Sequence, residues 1–402
     1  MSTDSSSKIG VSTATIIGMN AMIGAGIFTA PAALASNVGP AGILAYIFVV
    51  IAVWFLAQSL ARLAGLYPEE GAFYVYAQQW GGHLMGMIAS WTYFTGLLIA
   101  MGLLSQVAGF YLQPFFPQFS PYALGLCTLI ALTLLNMFGV ALSELGQQIL
   151  IVCTTFPIIA TTIMCLTKVD TNLLVPFAPY GMRNVFQATR AVIFGFFGFE
   201  CAASLFAIVK DPQKNVPRAL TYSIILVGSL YTLFVASLIL STPLELFVSS
   251  SIRIPDILQM TFTDKPWLIT AIHISILSAV LGTIHSMIWS SSALLISLMK
   301  KVKNNTVKTL LNNNIINAKT SVLLVGLCIF ISFSSINKID LFFSLTAVFI
   351  VCAYLLSIIT LLTLRAEWES GQNIKTLIGI VAALTILYFA LEGLVLEIAK
   401  LV

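Results

Sequence analysis

The sequence predicts an all-α polytopic membrane protein with about eleven transmembrane helices. Two observations carry that prediction. Of 402 residues, 59% are hydrophobic types and only 8% are charged, with a mean hydropathy of +0.99. A soluble domain carries about 25% charge, so this chain cannot cover a water-facing globule. The apolar residues also fall in runs of roughly 20, the length at which a helix crosses a ~30 Å hydrocarbon core. In segments this apolar, a helix is the element that satisfies every backbone group within lipid. A soluble enzyme, a disordered chain, a coiled coil and a secreted disulfide scaffold are excluded. The net charge, 19 − 15 = +4, carries no nucleic-acid signature, and the expected partners are the lipid bilayer and a small substrate.

Residues 1–10 are polar and Ser-rich and read as a cytoplasmic tail. Eleven apolar runs follow, at about 11–36, 41–64, 84–113, 121–140, 146–167, 185–209, 218–241, 266–299, 320–336, 339–364 and 375–397. The first is about twice as long as a signal-peptide core and carries Asn20 and paired glycines, so it is expected to be retained as a span. Turn and charge signals separate the runs: Tyr67-Pro68-Glu69-Glu70-Gly71, Pro114 to Pro121, Lys210-Asp211-Pro212 and Lys300 to Lys319. The 242–265 linker, with Pro243 and Pro255, has room for a short interfacial helix. Twelve of the 19 Lys and Arg residues fall on the side holding the N-terminus and seven on the other. Excess Lys and Arg mark the cytoplasmic face. The N-terminus is therefore placed inside a cytoplasmic (inner) membrane and, with an odd number of spans, the C-terminus outside. The basic 300–319 stretch is read as a topology anchor.

Two spans are interrupted alike. The first reads Gly18-Met19-Asn20-Ala21-Met22-Ile23-Gly24-Ala25-Gly26-Ile27-Phe28, with Pro31 beyond; the sixth reads Phe194-Gly195-Phe196-Phe197-Gly198-Phe199-Glu200-Cys201. Glycine costs about 1 kcal/mol relative to alanine inside a helix. Close helix contact explains some glycines, such as Gly102, Gly109 and Gly282. Clusters at corresponding positions of two five-span halves point instead to broken helices that expose backbone groups to a ligand. Half-helix N-termini attract a carboxylate through unpaired N–H groups and the helix dipole. Glu200 lies near mid-depth, where an ionised carboxylate costs at least about 2.5 kcal/mol on insertion scales. It is read as facing a polar cavity, as a proton sensor or as a partner for a cationic group.

These residues resemble the amino acid–polyamine–organocation superfamily of amino acid permeases. Gly24-Ala25-Gly26-Ile27-Phe28 with Pro31 resembles its first-helix signature. Tyr67-Pro68, Gly71-Ala72, Tyr74 and Tyr76-Ala77 resemble its loop between spans two and three. Gly198-Phe199-Glu200, Val209-Lys210-Asp211-Pro212 and Asn215-Val216-Pro217-Arg218-Ala219 resemble its span-six motif. Within the superfamily the chain looks most like basic amino acid/polyamine exchangers, such as arginine/agmatine and putrescine/ornithine antiporters.

The resemblance implies an inverted-repeat (5+5), leucine-transporter-like fold. Its halves would be 11–167 and 185–364, helices one and six would be broken, and 375–397 would be an additional helix. It implies a secondary active transporter that moves amino acids by alternating access, as exchanger or proton-coupled carrier. The substrate carboxylate would meet the N–H groups of Ala25 and Gly26. The ammonium would meet carbonyls near Met22 and in the Phe194–Phe197 segment. Phe194 would close over the substrate and Glu200 would sense protons. Met101 in span three, and Met287 or Trp289 in span eight, would line the pocket.

Three departures qualify the likeness. The chain stops after eleven spans where the family usually has twelve, which leaves monomer and homodimer both open. The loop after span eight lacks the family's A-R-D-G-x-x-P pattern. Thr155 stands where some relatives carry a lysine, and apolar Met101 argues against a strongly cationic substrate. No cofactor or metal is expected, with proton coupling favoured over a sodium site at Ser290–Ser292. The six cysteines form no CxxC pair and read as small apolar residues. His83, His273 and His285 show no nucleophile-and-acid arrangement, so an embedded enzyme is not expected. A channel would spread polar residues along several helices, whereas here they gather at two breaks.

Overall fold

The computed structural model describes residues 9–68, 72–139, 144–200, 209–247, 253–363 and 370–400, and their regular elements are helical. The predicted residues Lys8, Glu69, Glu70, Gly71, 201–208 (with Cys201) and Arg365 lie outside the described residues. The first predicted span is a helix pair, α1 (Val11–Met22) and α2 (Ala30–Val38), joined through a tight 3-10 turn at Ala25–Phe28. There follow α3 (Gly42–Leu66), α4 (Ala72–Leu112), α5 (Pro121–Met137), α6 (Glu144–Leu166) and α7 (Met182–Phe194). The chain continues with α8 (Pro212–Ser241), α9 (Ile254–Thr261), α10 (Pro266–Lys301), α11 (Asn305–Asn312), α12 (Ala318–Ser335), α13 (Ile339–Thr363) and α14 (Ser370–Ala399).

Among the described residues, seven helical runs are long and apolar enough to cross a membrane, and the shorter apolar helices include Val11–Met22 and Pro121–Met137. Local chemistry sets the ends. The Ser120 side chain accepts from Ala123 N–H and Pro121 opens α5, where its missing N–H costs nothing. Asn317 and Thr320 form a reciprocal capping box at the start of α12. The 242–265 linker holds a short helix, α9 (Ile254–Thr261). Two helices were not anticipated. The stretch 72–81 continues into α4 across a non-helical Gly82 at φ 68°, and α11 forms inside the basic 300–319 stretch. The first is only ten residues long before Gly82, and α11 is short and polar, so neither reaches the apolar length that marked the other spans.

Helix contacts recur when five is added to the span number. Span three meets span ten (α4 with α13), as span eight meets span five (α10 with α6). Span one meets span seven (α1 with α8), as span six meets span two (α7 with α3). Span four lies on span three (α5 with α4), as span nine lies on span eight (α12 with α10). A two-fold pseudo-symmetry of this kind brings the breaks of spans one and six face to face at its centre. Helix α14 stands outside this pattern and lies on α13, α3 and α7. A short parallel bridge, Ile9 to Val209, ties the two halves where α1 begins. We call that the near end of the bundle, and the other, where α2 finishes, the far end.

Candidate functional site

Both breaks are built by glycine, and they interlock. At the first, α1 stops at Met22, Gly24 is extended and the 3-10 turn starts at Ala25. At the second, α7 stops at Phe194 and Gly198 adopts φ 109°, a left-handed conformation that L side chains avoid. A Cβ on Gly198 would overlap the Ala21 carbonyl. A Cβ on Gly26 would lie 3.0 Å from both the Gly195 Cα and the Phe194 carbonyl oxygen. The two broken segments therefore touch backbone to backbone, which removes the side chains that would otherwise fill the space beside them.

That space is a cavity of about 340 Å³. One wall is the break from Asn20 to Gly26, and the opposite wall runs from Phe194 to Glu200. Helix α4 contributes Tyr93, Leu97, Ala100 and Leu104; α10 contributes Thr283, Ser286, Met287 and Ser290; Thr154 and Thr155 come from α6 and Ile350 from α13. Of the predicted residues, Met22, Ala25, Gly26, Phe194, Phe197 and Glu200 all meet on this cavity. Two others do not. Met101 is fully buried off the cavity wall, while Ala100 and Leu104 of the same helix line it. Trp289 is 60% exposed on the outer face of α10, and Met287 lines the cavity instead. A helix turns about 100° per residue, so a one- or two-position offset moves a side chain to another face. Trp289→Leu is accordingly expected to leave substrate uptake by the reconstituted protein unchanged; a loss of uptake would return Trp289 to the site.

The backbone groups of the first break are partly engaged. Ala25 N–H donates to Thr283 Oγ1 at 3.2 Å, and Thr283 donates in turn to the Ala279 carbonyl at 2.8 Å. The Met22 carbonyl accepts from Tyr231 Oη at 3.0 Å. Two of the atoms that the resemblance gave to the substrate are thus held here by side chains of α10 and α8. Gly26 N–H, inside the first turn of a new helical segment, has no intrahelical acceptor and borders the cavity.

Glu200 is clasped by three donors. Tyr93 of α4 donates to Oε1 at 2.6 Å, Tyr354 of α13 to Oε2 at 2.8 Å, and Gly198 N–H to Oε2 at 3.0 Å. Among the described residues, no Lys, Arg or His forms an ion pair with it. The carboxylate joins the second break to two other helices. Beyond it Phe194, 5% exposed, meets Phe343 edge-on at 5.3 Å and Phe197 at 6.1 Å. Aromatic rings therefore cover the cavity on the side of α7.

Tyr93, Tyr354, Thr283 and Tyr231 were not foreseen from sequence. Part of this was readable, because 93, 97, 100 and 104 recur at helical spacing, as do 279, 283, 286 and 290. The pairing of Tyr93 and Tyr354 with Glu200 spans 107 and 154 residues and leaves no local mark. His285 turns from the cavity to Asn136 of α5, 3.0 Å from its Nδ2, so it does not address Ser286. Ser292 donates to the Ile288 carbonyl and Ser290 to that of Met287.

The amino acid permease family pattern matches residues 13–399. An uncharacterized transporter of Mycobacterium tuberculosis is 26% identical over 286 residues, 70% of this chain and 63% of that protein. The branched-chain amino acid permease BcaP of Bacillus subtilis is 26% identical over 56% of this chain and 52% of its own. A probable GABA permease of Pseudomonas aeruginosa is 26% identical over 71% and 63%. The chain thus spans less than two thirds of the length of these relatives. Among solved structures, a Na+-coupled sialic acid symporter in a substrate-bound outward-open state superposes with a TM-score of 0.61 at 13% identity. The superposition covers 96% of this chain and 89% of that one. The shared feature is the inverted-repeat, leucine-transporter-like fold.

Proposed function

The chain belongs to the amino acid permease family, and on that premise we propose that it is a secondary carrier moving amino acids across the cytoplasmic membrane by alternating access. The observation that carries this reading is the cavity between two interlocked breaks. It offers backbone N–H and carbonyl groups on both sides of a space large enough for one small molecule. The carboxylate is assigned to the Gly26 N–H side of the first break. The Ala25 N–H would join it on release from Thr283. The ammonium is assigned to the carbonyls of the broken segments. The excess of Lys and Arg on the N-terminal side supports a cytoplasmic N-terminus.

Away from the breaks the cavity is lined by Leu97, Ala100, Leu104, Met287 and Ile350 beside the uncharged hydroxyls of Thr154, Thr155, Ser286 and Ser290, and the substrate side chain is assigned to that part. An ionised side chain placed there would have no charged partner, and burying an unpaired charge is costly. Glu200 has its oxygens occupied by three donors. An uncharged, apolar amino acid therefore fits this cavity better than the cationic substrates of the arginine/agmatine-type alternative. In proteoliposomes, leucine or a similar apolar amino acid should outcompete arginine and putrescine by tenfold or more, roughly 1.4 kcal/mol. Preferred uptake of arginine or putrescine would overturn the assignment. Running the same assay with and without internal amino acid, a pH gradient and sodium separates exchange from proton or sodium coupling.

A further inference from the structure

Between α10 and α12 the near end of the bundle carries a basic surface with no acid in it. Residues 300–319 hold five lysines, Lys300, Lys301, Lys303, Lys308 and Lys319, and no Asp or Glu occurs anywhere from 265 to 339. Four of the five are exposed; Lys301 is half-buried, its ammonium 5.2 Å from the centre of the Tyr74 ring. Among the described residues, none of the five forms an ion pair. The exposed side chains between them include Asn305, Asn312 and Asn313, which are uncharged. An anion that approaches this segment meets ammonium and amide groups and no fixed negative charge of the segment itself.

Helix α11 occupies the middle of the stretch and is amphipathic. Val307, Leu310 and Leu311 recur at i, i+3 and i+4, which puts them on one face. Lys308 flanks that face, and Asn305, Thr309 and Asn312 lie opposite. Asn304 starts the helix by accepting from Thr306 N–H. The protein does not absorb the apolar face, because no residue of α11 is buried and Ile315, just beyond it, is 53% exposed. The helix runs between the end of one span and the start of the next, where hydrocarbon gives way to headgroups. An amphipathic helix at that level, with lysines beside its apolar stripe, lies in the interface. Lysine stems then follow the apolar surface while their ammoniums reach outward.

We propose that α11 and its flanking lysines form a docking surface for anionic phospholipid. Acyl chains would lie against Val307, Leu310, Leu311 and Ile315, and the headgroup phosphate would sit among Lys300, Lys303, Lys308 and Lys319. Charge decides between the phospholipid classes. A zwitterionic headgroup brings its own cation to a segment that has no acid to receive it, whereas an anionic headgroup brings none. Each lysine close to an anionic surface contributes roughly a fivefold preference, so even part of this cluster is selective. Lipid held here would anchor the near end of α10, the helix that carries Thr283 and Met287 on the wall of the central cavity.

The test is photocrosslinking of the purified full chain in phosphatidylcholine nanodiscs. One sample is doped with photoactivatable phosphatidylglycerol, the other with photoactivatable phosphatidylcholine of identical acyl chains, and adducts are mapped by mass spectrometry. Peptides covering 302–317 should carry phosphatidylglycerol in roughly fivefold excess or more. Raising the salt to about 1 M, where the Debye length falls to about 3 Å, should cut the excess below about twofold. Lys300→Gln, Lys303→Gln, Lys308→Gln and Lys319→Gln combined should do the same. Lys210→Gln with Lys214→Gln, exposed cations of the same end, should leave the excess unchanged. Equal labelling by the two lipids overturns the site. So does an excess that survives both the salt and the four lysine changes, or one that falls as far with the Lys210 and Lys214 changes. Labelling by neither lipid overturns it as well, and gives the surface to a soluble partner.

Discussion

Gly198→Ala is expected to abolish transport while leaving the protein in the membrane. Two costs add at this position. The backbone stands at φ 109°, in the positive-φ territory that disfavours residues with a Cβ; the left-handed helix region already costs them roughly 1–2 kcal/mol. The new methyl would also overlap the Ala21 carbonyl, and a backbone atom cannot swing aside as a side-chain tip can. The broken segments would have to separate, widening the cavity and displacing the Gly198 N–H from Glu200. Gly26→Val should act similarly, by driving the Phe194 carbonyl away. The control is Gly139→Asn, a positive-φ glycine with open space around it, where asparagine tolerates the conformation. Membrane-inserted, monodisperse Gly198→Ala with wild-type uptake would show that the interlock does not matter.

Glu200→Gln is expected to slow transport roughly tenfold to a hundredfold and to flatten its dependence on pH. Hydrogen bonds to a charged group contribute roughly 1.5–3 kcal/mol each, and the carboxylate receives three. Protonation turns one acceptor oxygen into a donor, so one of Tyr93, Tyr354 and Gly198 loses a good partner. The amide removes the group whose protonation would alter the clasp. Tyr93→Phe with Tyr354→Phe should lower the rate but keep some pH response, because the carboxylate and the Gly198 N–H are still present. A Glu200→Gln profile parallel to the wild type would exclude Glu200 as a proton sensor.

The parts of the molecule visible in the sequence are those written locally. Apolar length marked the spans, and glycine clusters marked the two breaks, because a chain that stops being helical must do so through residues that permit it. Gly26, Phe194 and Glu200 could be placed on one site because they belong to those breaks. Trp289 and Met101 went astray for a geometric reason, since face on a helix is lost with a small error in register. Tyr93, Tyr354 and Thr283 stayed hidden because hydrogen bonding across more than a hundred residues has no periodicity. The short helix α11 was missed because a polar helix lacks the hydropathy contrast that located the rest, and the arm before Gly82 because ten residues are too few to register as a span.

The backbone contact between the two breaks divides the site into a part that cannot be varied and a part that can. Ala21, Gly26, Gly195 and Gly198 share one steric register, so a change at any of them demands a matching change across the gap. Leu97, Ala100, Leu104 and Met287 project from intact helices and are free of that bond. Diversification of such a carrier, by natural drift or in the laboratory, would proceed along α4 and α10. It would retune which side chain is accepted while the cradle for the invariant ends of the molecule is inherited unchanged.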